Sequence, residues 1–273
     1  MALITHDSLK RPEEEFQPGA FRRFAARAGA RLAHMLFPPH CLSCQARLGE
    51  GGALCVSCWS KLSFSGPQAC VRCAIPMEEM LGDDPVCGAC LAKPPPFARA
   101  RAAFRYEGVG RDLVLSFKHG DRLDMAPVFA GWLCPAGPEG AFPAFFDGAE
   151  MVVPVPLYWR RLFSRRYNQS AELGRALARR LGVPLNAQVL YRKRATPSQG
   201  AMVSAAARRR NVAGAFGVRN PEAIRGKTIL LIDDVMTTGA TVSACARTLL
   251  RAGAKEIRAL CLARVSRDGS LPL

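Results

Sequence analysis

The 273-residue chain reads as an α/β protein, a parallel sheet with helices on both faces, preceded by a small metal-stapled module. Three observations predict this. Eight of the eleven cysteines fall in four Cys-x-x-Cys pairs between residues 41 and 90. Apolar strand-like runs alternate with helically spaced segments after residue 150. The whole net charge of +16 lies in residues 151–273, where 22 Lys and Arg stand against 6 Asp and Glu.

Hydrophobic residues make up 49% of the chain, which excludes wholesale disorder. No run reaches the roughly 20 apolar residues of a membrane-spanning helix. Asp7, Glu13, Glu14 and Glu15 stand where a secretory signal would be basic and then apolar, so a cytoplasmic protein is expected. Composition divides it into a tail and basic amphipathic helix (1–36), the cysteine module (37–98), the α/β domain (99–268) and a short tail (269–273). In the first segment Phe21, Phe24, Ala28, Leu32 and Met35 recur at helical spacing, with Arg22, Arg23, Arg27 and Arg31 mostly on other faces.

The cysteine module is too poor in long apolar runs to be held by core burial alone. Cys41 and Cys44, Cys55 and Cys58, Cys70 and Cys73, and Cys87 and Cys90 form the four pairs. Two such turns complete one tetrahedral zinc site, so two structural Zn²⁺ ions are expected, in a module whose fold depends on its own metal. The offset of the pairs, 29 residues for one and 32 for the other, suggests a tandem repeat. Sequential sites are preferred, and an interleaved pairing of 41/44 with 70/73 stays open. The module carries no excess of positive charge, which suits a scaffold better than a DNA clamp. Cys134, Cys245 and Cys261 stand alone and read as small buried hydrophobes. Pro94, Pro95 and Pro96 read as a stiff boundary.

Beyond them, MVVPVP (151–156) is a buried-strand candidate, and 168–181 carries Leu173, Leu177 and Leu181 at helical spacing with Gly182 as cap. KTILLI (227–232) is the clearest buried strand. A helix from about Gly239 to Arg251, ended by Gly253, and a strand IRALCLA (257–263) follow.

The most specific stretch is ILLIDDVMTTGAT, 229–241. An apolar strand delivers Asp233 and Asp234, and a short loop then opens a helix. Gly239 allows close backbone approach, and the backbone of Gly239 and Ala240 with the hydroxyls of Thr237, Thr238 and Thr241 would surround a phosphate at the helix's positive end. Asp233 and Asp234 can accept hydrogen bonds from vicinal sugar hydroxyls beside a metal-bound polyphosphate.

This stretch resembles the signature of the type I phosphoribosyltransferases. The resemblance implies that the acids bind the ribose hydroxyls, and the loop the 5′-phosphate, of phosphoribosyl pyrophosphate or a related nucleotide, with Mg²⁺ on the pyrophosphate. Purine-salvage members usually carry an acid where this chain has Thr237, so hypoxanthine or guanine salvage is not expected.

VVPVPLYWRRLFSRRYNQSAEL (152–173), RATPSQ (194–199) and RRRNVAGAF (208–216), behind four cysteine pairs, are similar to the ComF family over about residues 37–264. That resemblance implies a type I phosphoribosyltransferase-like domain behind a double zinc ribbon, linked to DNA uptake and processing in natural transformation. Arg160 and Arg161 follow a strand end, where they could hold a pyrophosphate leaving group. The segment with Thr196, Ser198, Gln199, Arg208 and Asn211 resembles the flexible loop that closes over the site in phosphoribosyltransferases. A phosphoribosyltransferase would displace pyrophosphate at the anomeric carbon with a nitrogen nucleophile, and no residue offers itself as a general base. The alternative is a non-catalytic protein that senses a nucleotide or grips single-stranded DNA or a DNA-uptake helicase.

Overall fold

The computed structural model describes residues 38–49, 52–66, 68–77, 82, 84–119, 122–134, 143–159, 162–163, 167–197 and 204–266. The helix expected over 20–36, together with Arg160, Arg161, Ser198 and Gln199, lies outside the described residues. None of the described helices is long and apolar enough to cross a membrane.

In chain order the elements are α1 (Val56–Ser60), α2 (Gly88–Ala92), β1 (Arg99–Arg105), α3 (Gly108–His119), α4 (Met125–Leu133), α5 (Pro143–Phe146), β2 (Met151–Pro154), α6 (Gln169–Leu181), β3 (Leu190–Arg192), α7 (Ala205–Val212), β4 (Phe216–Val218), β5 (Thr228–Met236), α8 (Ala240–Arg251) and β6 (Glu256–Arg264). The main sheet has the order β1-β6-β5-β2, and its strands are parallel. β3 and β4 pair antiparallel as a separate ribbon.

Period-2 alternation decides which residue faces which layer. Leu230, Ile232, Leu260 and Leu262 pack on the side of α3, α4 and α6, with Phe117, Phe129, Leu173 and Leu177. Ile229, Leu231, Ile257 and Ala259 face the opposite layer, with Val242, Cys245 and Leu249 of α8, Leu190 of β3 and Phe216 of β4. Both layers are needed because β5 is apolar on each face, the signature of a parallel strand.

α6 runs as its spacing predicts. The Asn168 side chain caps it by accepting from Ser170 N at 3.1 Å, and Gly182 ends it in the left-handed region at φ 69°. β5 extends past the expected end at Ile232, because β6 continues to pair with it through Asp233↔Cys261 and Met236↔Arg264.

The cysteine module rests on the outer edge of β1. Ser65 N donates to Ala103 O and Arg105 N to Ser63 O, each at 2.8 Å, while Ala100 N donates to Val71 O at 3.0 Å. Trp59, Phe64, Trp132 and Phe104 stack in sequence, with ring centroids 4.9, 5.6 and 6.1 Å apart. The first half of the module therefore keeps no core of its own: Cys41, Leu42, Leu54, Cys58 and Leu62 belong to the same buried cluster as Phe104, Leu113 and Phe129. The second half has a small cluster around Cys70, Ile75, Cys87 and Cys90.

Of the lone cysteines, Cys245 and Cys261 are fully buried, as expected, and burial pushes the Cys261 thiol up to about 12. Cys134 departs from the expectation. It ends α4 at the surface and is only half-buried.

Candidate functional site

The eight cysteines fall into two clusters in sequential pairing, Cys41, Cys44, Cys55 and Cys58, then Cys70, Cys73, Cys87 and Cys90. Within each, all four sulfurs lie within 4.8 Å of one another. The Cys44–Cys55 and Cys73–Cys87 Sγ separations are 3.6 and 3.7 Å. Four thiolates about 2.3 Å from one zinc ion stand about 3.8 Å apart, so both clusters fit tetrahedral Zn²⁺.

Local backbone builds both sites the same way. Cys55 and Cys87 are the N-caps of α1 and α2, and their N–H groups donate to Cys41 Sγ at 3.4 Å and Cys70 Sγ at 3.3 Å. Burial opposes ionisation of Cys41, but backbone hydrogen bonds at Cys44, Cys55 and Ser43 hold its thiol at about 6. A hydrogen bond from Cys73, set against burial, holds Cys70 at about 4. Burial pushes the Cys58 and Cys90 thiols up to about 12, and the hydrogen bond with Cys70 raises Cys73, so a metal must displace protons from part of each set.

Asp233 and Asp234 lie near the end of β5. Asp233 Oδ1 accepts from Ser170 Oγ at 3.3 Å and from Asp234 N at 2.9 Å. Burial, and then the charge of Asp234, push its carboxyl up to about 7. Asp234 Oδ2 is 3.1 Å from Lys118 Nζ, and its Oδ1 accepts from Val235 N at 2.6 Å.

The Tyr167-Asn168-Gln169 run holds this arrangement in place. Tyr167 Oη donates to Phe117 O at 3.0 Å, Gln169 Nε2 to Lys118 O at 3.0 Å and Asn168 Nδ2 to Val155 O at 3.1 Å. Three side chains at the start of α6 thus fix the end of α3 and the segment after β2 beside the acids.

Gly239, at φ 73°, caps α8, and its carbonyl accepts from Ser243 N at 2.8 Å. Thr238 Oγ1 accepts from Ala240 N at 3.4 Å. The first amides of a helix lack intrahelical partners and carry partial positive charge, so a turn of this kind can offer donors to an anion.

Outside the loop opens a cavity of about 560 Å³. Thr237, Thr238 and Gly239 line it together with Ala89, Cys90 and Lys93 of the second ribbon and the segment after it. Arg208, Arg209, Arg247 and Arg264 also line it, and among the described residues no carboxylate does.

Of the expected flexible-loop residues, Thr196 and Arg208 are buried and Asn211 stands at the end of α7. Thr196 Oγ1 accepts from Arg192, and Asn211 Nδ2 donates to Pro197 O at 3.1 Å. Arg194 Nη2 donates to Asn211 O at 3.0 Å and Ala213 O at 2.9 Å. The two ends of that segment are pinned together.

Sequence reasoning missed Lys118, Ser170 and Arg264. Lys118 ends a segment with no motif of its own, and the spacing around Ser170 marks a helix without marking this side chain. Arg264, at the end of β6, donates to the carbonyls of Cys73, Met236, Thr237 and Val265. No spacing rule connects these residues to the loop.

Residues 32–91 match the double zinc ribbon domain, and residues 168–272 the phosphoribosyl transferase domain. The paired cysteine clusters are thus structural zinc sites. DNA utilization protein YhgH of Escherichia coli (strain K12) is 31% identical over 228 residues, 83% of this chain and 97% of its own. Competence protein F of Haemophilus influenzae (strain ATCC 51907 / DSM 11121 / KW20 / Rd) is 28% identical over 226 residues, 82% of this chain and 96% of its own. Among solved structures, glutamine phosphoribosylpyrophosphate amidotransferase from B. subtilis superposes with a TM-score of 0.34 at 18% identity, over 54% of this chain and 30% of its own. A double zinc ribbon followed by a phosphoribosyltransferase domain, with 31% identity to YhgH over 97% of its length and a further match to competence protein F, makes the chain a member of the ComF family.

Proposed function

We propose that the chain binds phosphoribosyl pyrophosphate, or a nucleotide built on the same ribose 5-phosphate, and serves the handling of DNA taken up by the cell. The observation that carries this is the pair Asp233 and Asp234 next to the Thr237–Thr241 turn at the start of α8. Carboxylates for vicinal hydroxyls and helix-terminal amides for a phosphate stand at the two ends of one short segment. The names of the relatives, a DNA utilization protein and a competence protein, support the cellular part.

Asp233 and Asp234 also suit a Mg²⁺ ion brought by the pyrophosphate. Hard oxygen ligands in small number are what that ion takes from protein. A resident cation would oppose the burial that keeps the Asp233 carboxyl near 7.

Titration calorimetry with Mg²⁺ and phosphoribosyl pyrophosphate tests the reading. Replacing both acids by Asn should weaken binding by about a hundredfold or more, since each charge-assisted hydrogen bond is worth about 1.5–3 kcal/mol. Binding that the double variant retains unchanged would remove the assignment. Pyrophosphate release with a panel of nitrogen bases then decides whether a pentosyl group is transferred.

The cation-lined cavity favours a second reading, contact with single-stranded DNA. Gel shifts of the full chain should weaken steeply between 50 and 200 mM salt. Salt-insensitive binding would argue against a phosphate-backbone contact, and a helicase partner would then remain the route to DNA.

A further inference from the structure

We propose that the second zinc ribbon is a wall of the anion site: Lys93 adds to the loop's grip on an anion, and Arg264 joins the ribbon to the loop so that zinc at Cys70, Cys73, Cys87 and Cys90 and an anion at Thr237–Thr241 strengthen each other's binding. This rests on the anion reading of the loop given above.

Arg264 is 5% exposed. Its Nε donates to Cys73 O at 2.9 Å, and its Nη1 to Met236 O at 2.9 Å, to Thr237 O and to Val265 O at 2.9 Å. One planar fork therefore connects a metal ligand's own peptide group to the two residues that lead β5 into the phosphate turn. Arginine holds such an arrangement because its donors are rigidly spaced, which a lysine cannot reproduce.

The positions of Met236 and Thr237 set where the turn's amides point. The position of the Cys73 carbonyl depends on whether a metal closes the Cys70–Cys73 turn. Ordering either end of the fork lowers the cost of ordering the other, which is positive coupling without any long-range pathway. Direct repulsion between a zinc–tetrathiolate cluster and a bound anion works the other way, and the Arg264 charge touches both sides of that pair. The cavity brings the ribbon to the ligand a second time, since Ala89, Cys90 and Lys93 line the same cavity as Thr237, Thr238 and Gly239. The first cluster provides an internal control, because Cys41 and Cys58 pack into the opposite layer of the fold.

Zinc release from the intact protein to excess chelator, with and without Mg²⁺–phosphoribosyl pyrophosphate, tests the coupling. Alkylation of the freed thiols, mapped by mass spectrometry, reports which cluster opens. The ligand should slow exposure of Cys70, Cys73, Cys87 and Cys90 by about fivefold or more and leave Cys41, Cys44, Cys55 and Cys58 unchanged. Arg264→Lys should reduce that protection to less than about twofold while calorimetry still detects ligand. Lys93→Ala should weaken binding at unchanged zinc content.

Ligand binding in the unaltered protein with no effect on release from the second cluster would overturn the coupling, and that measurement needs no variant to fold. Full protection surviving in Arg264→Lys would remove Arg264 from it. Absence of any ligand binding would instead sink the anion reading, and the coupling with it.

Discussion

Lys118 Nζ lies 3.1 Å from Oδ2 of Asp234, joining the end of α3 to β5 where the strand meets the Thr237–Thr241 turn. Both side chains are mostly buried, so this pair differs from an exposed ion pair of little consequence. Asp233 stands beside it with a carboxyl near 7, and Lys118 is one of the charges that restrain that rise.

Removing the cation should therefore do more than delete one contact. Lys118→Met leaves two adjacent acids facing each other and is expected to cost about 1–3 kcal/mol at pH 7. Urea denaturation measures it. A change below about 0.5 kcal/mol would mean that solvent replaces the lysine without loss.

Asp233 makes ligand-free stability depend on pH in a defined direction. Its folded-state value of about 7 is raised above the ordinary 3.8, so its contribution is fully present below about pH 4 and is lost as pH rises through about 7. Asp233→Asn mimics the protonated acid and removes this dependence. Thermal melts should show the variant gaining over the parent at pH 8, by about 1–3 kcal/mol, and gaining little or nothing at pH 4. A larger gain at the lower pH would contradict the assigned direction.

Tyr167 offers a test of how the site is positioned. Tyr167→Phe leaves the Phe117 carbonyl without that donor and should cost about 1 kcal/mol. Because Lys118 follows Phe117, the affinity for Mg²⁺–phosphoribosyl pyrophosphate should fall as well. Stability lost with affinity intact would confine Tyr167 to the scaffold.

Elemental analysis of reduced protein should find two zinc ions per chain. Cys41→Ser with Cys44→Ser should remove one and also lower the melting temperature of the α/β core, because Leu42, Leu54 and Leu62 share the buried cluster of Phe104 and Phe129. A core transition left unchanged would show that the first ribbon can detach freely.

The sequence made local features readable and remote ones opaque. The limits of α6 follow from Leu173, Leu177 and Leu181 with a capping Asn168 and Gly182, all within one stretch. The spacing favours the sequential cysteine pairing, and the backbone builds it. β1 escaped notice because Arg99, Arg101 and Arg105 interrupt its apolar positions, and only Ala100, Ala103 and Phe104 are buried. Asp233 and Asp234 stand out in the sequence, but the side chains that hold them and the turn after them do not. Ser170, Lys118 and Arg264 come from α6, α3 and β6, and only the parallel topology brings them to one end of β5.

The hydrogen bonds from Ser65, Arg105 and Ala100 along β1 give zinc supply a hold on solubility. A strand at the rim of a sheet is a template onto which another polypeptide can add itself, and proteins shield such rims. Here the shield is the ribbon module, whose fold is expected to need its zinc. A newly made chain that meets too little zinc would bare this rim while the helices on either face are already packed, and copies could then join strand to strand. Chelated protein is accordingly expected to scatter light and gain sheet signal before it loses helix signal, so that starvation for one trace metal acts as self-association before it acts as unfolding.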